Sequence, residues 1–222
     1  MKGKFNYYWL LLLLPAVFLG WYFYSKKQDM PIRYLPYFGP KNYTGARDTT
    51  YHTVPAFEFT DQYGEKVNKS TFKDKIYVTE YFFTTCKSIC PVMNNNLEKI
   101  YGEFRDSADF MILSHTVDPE TDSVPVLKRY ADAHGVKDKK WLFVTGKKED
   151  LYRLARKGYL LNAEEGDGGE EDFIHTQNFA LVDKESHLRG FYDGTDSLEM
   201  QRMRQDIKLL LKEYEYKKRT GH

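Results

Sequence analysis

"KIYVTEYFFTTCKSICPVM", residues Lys75 to Met93, passes from a β-type run through two cysteines into a helix start. Lys75–Phe83 is a nearly continuous stretch of β-branched and aromatic residues, which predicts a strand buried on both faces. Pro91 suits the first position of a helix. Beyond it Met93, Leu97, Ile100 and Phe104 recur at helical spacing. Because a residue before proline avoids the α region, Cys90 is expected at the N-cap, with Cys86 in the loop just ahead. Both sulfurs then lie at a helix N-terminus, where free N–H groups and the helix dipole stabilise thiolates.

These are the two cysteines of a 222-residue chain. They are open to three roles: a structural disulfide, a redox couple, or a pair of metal ligands. A bridge over so short a loop removes little unfolded-state entropy, which disfavours the first role. Thiolate serves both of the others. A metal site of this kind recruits nitrogen, and the six histidines are His52, His115, His134, His175, His187 and His222. Two thiolates and one imidazole form a soft, low-coordinate set suited to Cu(I), able to hold Cu(II) with added ligands. A closed structural zinc site takes four ligands, and no second cysteine pair exists to supply them.

Outward from this stretch, strands and helices alternate. "AFEFTDQYGEKV" reads as a hairpin turning at "DQYG". After the first helix come "DFMILSHTV" as strand, "SVPVLKRYADAHG" as a helix ending at Gly135, "KWLFVTG" as strand and "KEDLYRLARKGYL" as helix. "TQNFALVD" reads as strand, and Ser197–Lys217 as a long terminal helix. The pattern implies an α/β fold with a mixed sheet flanked by helices.

The chain has 16% aromatic and 29% charged residues and a formal net charge of +1, so no overall field points to nucleic acid. Its mean hydropathy is −0.64. The exception is "YYWLLLLLPAVFLGWYFY", Tyr7 to Tyr24, uncharged, just long enough to span a bilayer and aromatic at both ends. No small-residue cleavage pattern follows it, so it is read as a retained single-pass anchor rather than a signal peptide. The expected organisation is an anchor over 1–25, a Pro/Gly-rich linker over 26–50, a folded domain over 51–217 and a tail over 218–222. The short N-terminus places the domain on the exported (periplasmic or extracytoplasmic) side.

Taken together, these residues resemble the SCO/SenC family of membrane-anchored, thioredoxin-like copper proteins that assist cytochrome c oxidase assembly. "YFFTTCKSICP" resembles the family's T-x-C-x-x-x-C-P signature, and "VDPETDSVPVLKRYA" its V-D-P-E-x-D stretch. "DFIHT" aligns His175 with the ligand histidine. The resemblance implies a thioredoxin-like fold, copper held by Cys86, Cys90 and His175, and Asp118 and Asp122 beside the site. His175 would stand where thioredoxin-like oxidoreductases carry a cis-proline, and the sequence has no proline from Asp172 to Asp183. One departure is Lys87-Ser88, where many members have Pro-Asp; the change removes an acid and adds a cation beside the sulfurs. A peroxiredoxin signature is ruled out by Phe83, three residues before Cys86, where that family keeps threonine.

The implied role is a metallochaperone rather than an enzyme, with subunit II of cytochrome c oxidase or a related copper-accepting protein as partner. A thiol–disulfide oxidoreductase acting through Cys86 and Cys90 is the alternative, and a redox or copper sensor a third reading. Glu80, the one acid in the Lys75–Phe83 run, lies an even number of positions before Cys86. A buried carboxyl there would have a raised pKa and accept thiol protons. As extra ligands, His115 is outweighed by a hydrogen-bonded strand role, and Met93 by a core role. The acidic stretch "AEEGDGGEED", Ala163–Asp172, reads as a solvated segment ahead of His175.

Overall fold

The computed structural model describes residues 15–22, 33–43, 49–161, 174 and 176–221. Residues 15–22 are helical. The rest of the expected span Tyr7–Tyr24 lies outside the described residues, among which no helix is long and apolar enough to cross a membrane. His175 and Ala163–Asp172 also lie outside them. The chain divides into two units, Met1–Arg33 and Tyr34–His222; the second carries the fold.

Seven strands form one sheet: β3 (Glu58–Asp61), β4 (Lys66–Asn68), β5 (Ile76–Phe82), β6 (Phe110–Thr116), β7 (Trp141–Thr145), β8 (Asn178–Val182) and β9 (Leu188–Asp193). Two short strands, β1 (Lys41–Tyr43) and β2 (Thr49–Tyr51), pair separately. The sheet order is β4-β3-β7-β6-β5-β8-β9. β5, β6 and β7 run parallel, and the flanking pairs are antiparallel. Helices α1 (Cys90–Phe104), α2 (Val124–Ala133), α3 (Lys148–Arg153) and α4 (Ser197–Thr220) connect and cover it.

The continuous apolar run of Lys75–Phe83 sits where such a run belongs. Every residue of β5 and of its parallel neighbour β6 is buried. Alternate residues serve opposite cores. Ile76, Val78 and Phe82 pack with Met93, Leu97, Ile100 and Phe104 of α1. Tyr77 and Tyr81 face Leu151, Leu154 and Tyr159 on the other side. The four α1 positions are 0–6% exposed, and burying each stabilises by about 1.5–3 kcal/mol. The hairpin turns at Asp61, whose carboxylate accepts from the Tyr63 and Glu65 amides, with Gly64 at φ +79. Gly135, at φ +71, follows the end of α2 as a left-handed stop.

Three helix boundaries depart from the sequence reading. Cys90 is the first residue of α1 and Ile89 its N-cap, one position earlier than expected. Ile89 O already accepts from Val92 and Met93 N–H, and Pro91 has no N–H needing a partner, so the turn closes sooner. The helix expected over Lys148–Leu160 changes at Leu154 into a π turn ending at Gly158. The terminal helix runs on to Thr220, so residues 218–220 of the expected tail form its last turn.

Part of the expected linker is built into the domain. Arg189 is fully buried, pairs with Asp183 and Glu213 at 2.9 Å each, and donates to Leu35 O at 2.8 Å and Pro36 O at 3.3 Å. Its guanidinium lies 4.3 Å from the Tyr37 ring centroid. Leu35 is only 6% exposed, and Phe38 bridges to Leu188. A Pro/Gly-rich composition signals an irregular path, and here that path is a packed one.

Candidate metal and thiol site

The two cysteines sit where β5 ends and α1 begins, at the C-terminal edge of the parallel strands. Phe83 O accepts from Cys86 N–H at 3.2 Å, turning the chain out of the strand. Cys90 is 3% exposed and Cys86 half-buried, and both thiols are free. They share a cavity of about 70 Å³ whose walls include Phe82, Ile89, Val117, Ile174 and Thr176. Ile174 and Thr176 are the chain neighbours of His175.

The two thiols are electrostatically unequal. Partial burial raises the Cys86 pKa, but hydrogen bonds from Cys90 and Ser88, side chain and backbone, outweigh it and bring it down to about 7. The Ser88 hydroxyl lies 3.6 Å from Cys86 Sγ. Cys90 goes the other way, to about 12, because it is buried, shares its proton with Cys86 and lies near Glu80. The helix terminus therefore stabilises one thiolate, not two as its position alone implied.

Glu80 is fully buried on the α1 face of the sheet. Ser114, its register partner on β6, donates to Glu80 Oε1 at 2.7 Å, and Trp141 Nε1 donates to the same Ser114 hydroxyl at 2.8 Å. Glu80 Oε2 has no partner among the described residues. Burial pushes its carboxyl up to about 8.

Asp122 reaches the cysteine loop directly. Its buried carboxylate accepts from Thr84 N at 3.2 Å, from the Thr84 hydroxyl, and from the Thr116 hydroxyl at 2.5 Å. Asp118 does not reach the thiols; its backbone O accepts from Asp122 N at 2.9 Å and so helps set that carboxylate. Asp122→Asn exchanges an acceptor-only group for one that also donates, leaving one of these three donors without an acceptor. A stability loss of about 1.5–3 kcal/mol is expected, with faster amide exchange from Thr84 to Cys86. Unchanged exchange there would mean that Asp122 does not hold the loop.

His115 faces away from the cysteines. It stacks on Tyr81 at 4.7 Å, its Nδ1 lies 3.1 Å from the Thr79 hydroxyl, and burial pushes its pKa down to about 3. Met93 is a core residue of α1. Two groups escape a reading of the sequence. Asn94 Nδ2 donates to Cys90 O at 3.0 Å and to the Tyr130 hydroxyl at 2.9 Å. Tyr130 also stacks on Phe82 at 5.1 Å. The i, i+4 step from Cys90 to Asn94 is visible in the sequence; the contribution from α2 is not.

A soft dithiol at the end of a central strand, on this sheet order, now has counterparts. Residues 45–212 match the model of the SCO1/SenC family. The chain belongs to that family. Its Cys86–Cys90 pair matches the SCO1/SenC CxxxC motif. The SCO1 protein homolog of Bacillus subtilis (strain 168) is 26% identical over 164 residues, 73% of this chain and 84% of the relative. The BsSco structure, reported with a disulfide switch in a member of the Sco family of cytochrome c oxidase assembly proteins, is 26% identical. It covers 72% of this chain and 93% of its own, with a TM-score of 0.61. ScoI of Bradyrhizobium japonicum, solved with copper bound, shares the fold at 19% identity and a TM-score of 0.57, over 71% and 99% of the two chains. The α/β sheet is thus that of the thioredoxin-like Sco structures.

Proposed function

We propose that this SCO1/SenC protein binds copper through Cys86, Cys90 and His175 and assists assembly of the dinuclear copper site in subunit II of cytochrome c oxidase. The supporting observation is that one small cavity is lined by both cysteines and by the two residues flanking His175 in the chain. The donors fit the ion: two sulfurs within hydrogen-bonding reach of each other and an imidazole form a soft set that Cu(I) accepts with few ligands. Tyr7–Tyr24 would anchor the protein, with the domain on the exported side.

The residues divide the work by protonation. Cys86 enters near neutral pH partly as thiolate, held by Ser88 and Cys90. Cys90 must give up its proton, since thiolate is the ligand form and loading releases protons. Glu80, once ionised, is the acceptor on the same face, while Asp122 fixes the loop through Thr84. Copper itself is cargo.

Thiol–disulfide exchange is the second reading, favoured by the inequality of the thiols. The Cys86 thiolate would attack one sulfur of a partner disulfide, breaking that bond and releasing a partner thiolate. Deprotonated Cys90 would then attack Cys86 in the mixed disulfide, freeing the second partner thiolate and leaving Cys86–Cys90 oxidised.

His175→Ala separates a ligand from a bystander. X-ray absorption of the Cu(I)-loaded chain is expected to show two sulfurs and one nitrogen in the wild type, and sulfur without that nitrogen in the variant. An unchanged coordination shell would remove His175 from the site.

A further inference from the structure

A groove of about 910 Å³ lies apart from the cysteine cavity and shares none of its walls. Its floor is the chain entering β3. Pro55 and Ala56 are exposed, Phe57 is half-buried, and the Phe57 and Phe59 rings stack at 5.6 Å. The start of α3 and the π turn form the facing wall. The wall approaches closely at both ends: a Cβ on Gly146 would stand 2.7 Å from Phe59 Cδ1, and one on Gly158 3.1 Å from Pro55 Cδ. Lys147 and Lys157, the neighbours of those glycines, therefore stand at opposite ends of an apolar strip. Four residue steps of extended chain span about 13 Å.

The other groove cations are neutralised, Lys66 by Glu58 at 3.1 Å and Arg153 by Asp150. Lys147 and Lys157 are exposed and have no carboxylate partner among the described residues. The floor also leaves backbone groups open. Val54 N–H is bonded to Ser186 O, but Pro55 and Ala56 make no backbone hydrogen bond among the described residues. Open backbone groups on an unpaired segment leading into a strand are sites to which an extended chain adds.

We propose that this groove binds an extended segment of a partner protein, with acidic side chains four positions apart around an apolar residue. The apolar side chain covers Phe57, the acids meet Lys157 and Lys147, and the peptide backbone bonds to Pro55 and Ala56. An acyl lipid would use the strip but not the backbone groups. The proposal does not rest on the copper reading.

The probe is a fluorescein-labelled peptide, Ser-Asp-Thr-Leu-Thr-Asp-Ser, followed by anisotropy with the full chain in detergent. Binding is expected to weaken at least tenfold in the Lys147→Glu/Lys157→Glu chain, whose thiol reactivity should match the wild type. A peptide with lysine in place of both aspartates, or with alternate amides N-methylated, should bind at least tenfold less to the unaltered chain, where no folding change intervenes. Equal binding of the lysine or N-methylated peptide would overturn the proposal. So would protection of Lys147 and Lys157 from acetylation by short-chain phosphatidylglycerol but not by the peptide, which would make this a lipid site. Binding that appears only when the six carboxylates of Ala163–Asp172 are changed to amides would also overturn it, by making the chain's own acidic stretch the occupant.

Discussion

Cys90→Ser is expected to abolish tight Cu(I) binding, with a loss well beyond the roughly 10–100-fold that follows removal of an outer partner of a metal ligand. Serine is smaller and offers a hard hydroxyl of high pKa in place of a soft thiolate, so its oxygen cannot substitute for sulfur at this ion. Its fold should survive. Cys90 lies at the first turn of α1, its backbone O bonded to Asn94 and its side chain taking a hydrogen bond from the Phe83 backbone, which the new hydroxyl oxygen can also accept. Competition against a Cu(I) chelator measures the loss. Cys86→Ser should behave alike, because two sulfurs of a three-ligand site are equivalent in number if not in acidity. If either single variant keeps wild-type affinity, the pair is not the copper site and the exchange reading takes precedence.

Stability should depend on pH through two buried groups that oppose each other. The folded chain holds the Glu80 proton up to about pH 8, whereas the unfolded chain releases it near 4.5. Between those values stability falls as pH rises, by about 1.4 kcal/mol per unit. The His115 imidazole stays neutral in the folded chain down to about pH 3 but takes a proton below 6.5 when unfolded. Its contribution therefore rises with pH from 3 to 6.5, with the same slope. The two cancel between 4.5 and 6.5. The Cys86 thiol, brought down in the fold from 9.0 to about 7, would offset the Glu80 decline above pH 7, so the profile is read on the copper-free Cys86→Ser chain: it rises to pH 4.5, is level to 6.5, and falls by about 2 kcal/mol at pH 8. Glu80→Gln should abolish the alkaline decline and let the His115 rise continue to 6.5. Denaturant titrations at successive pH values test this. A Cys86→Ser chain that is level from 6.5 to 8 would mean that Glu80 does not hold its proton in the fold up to pH 8.

Much of this arrangement is legible in the sequence because it is local. The β5 run, the helical spacing of Met93, Leu97, Ile100 and Phe104, and the hairpin at Asp61–Gly64 each declare themselves within a few residues. Glu80 stands out in an apolar strand, and its even offset from Cys86 gives its face. What is not legible is set by distant partners. The linker reading of Leu35–Phe38 gives way because Arg189, about 150 positions later, binds its carbonyls. The π turn at Leu154 and the strand β9 follow from packing rather than from a clear period. The inequality of the thiols depends on depth of burial, which the CxxxC spacing does not encode. Asp118 and Asp122 look alike in "VDPETD", and the turn between them sends only the second to the cysteine loop.

A disulfide consumes both thiolates, so the central claim makes copper binding conditional on reduction. Cu(I) titrated under argon into the full chain in detergent should bind at one equivalent to the reduced form and not at all to the form with Cys86 and Cys90 joined. Equal uptake by both forms would contradict it.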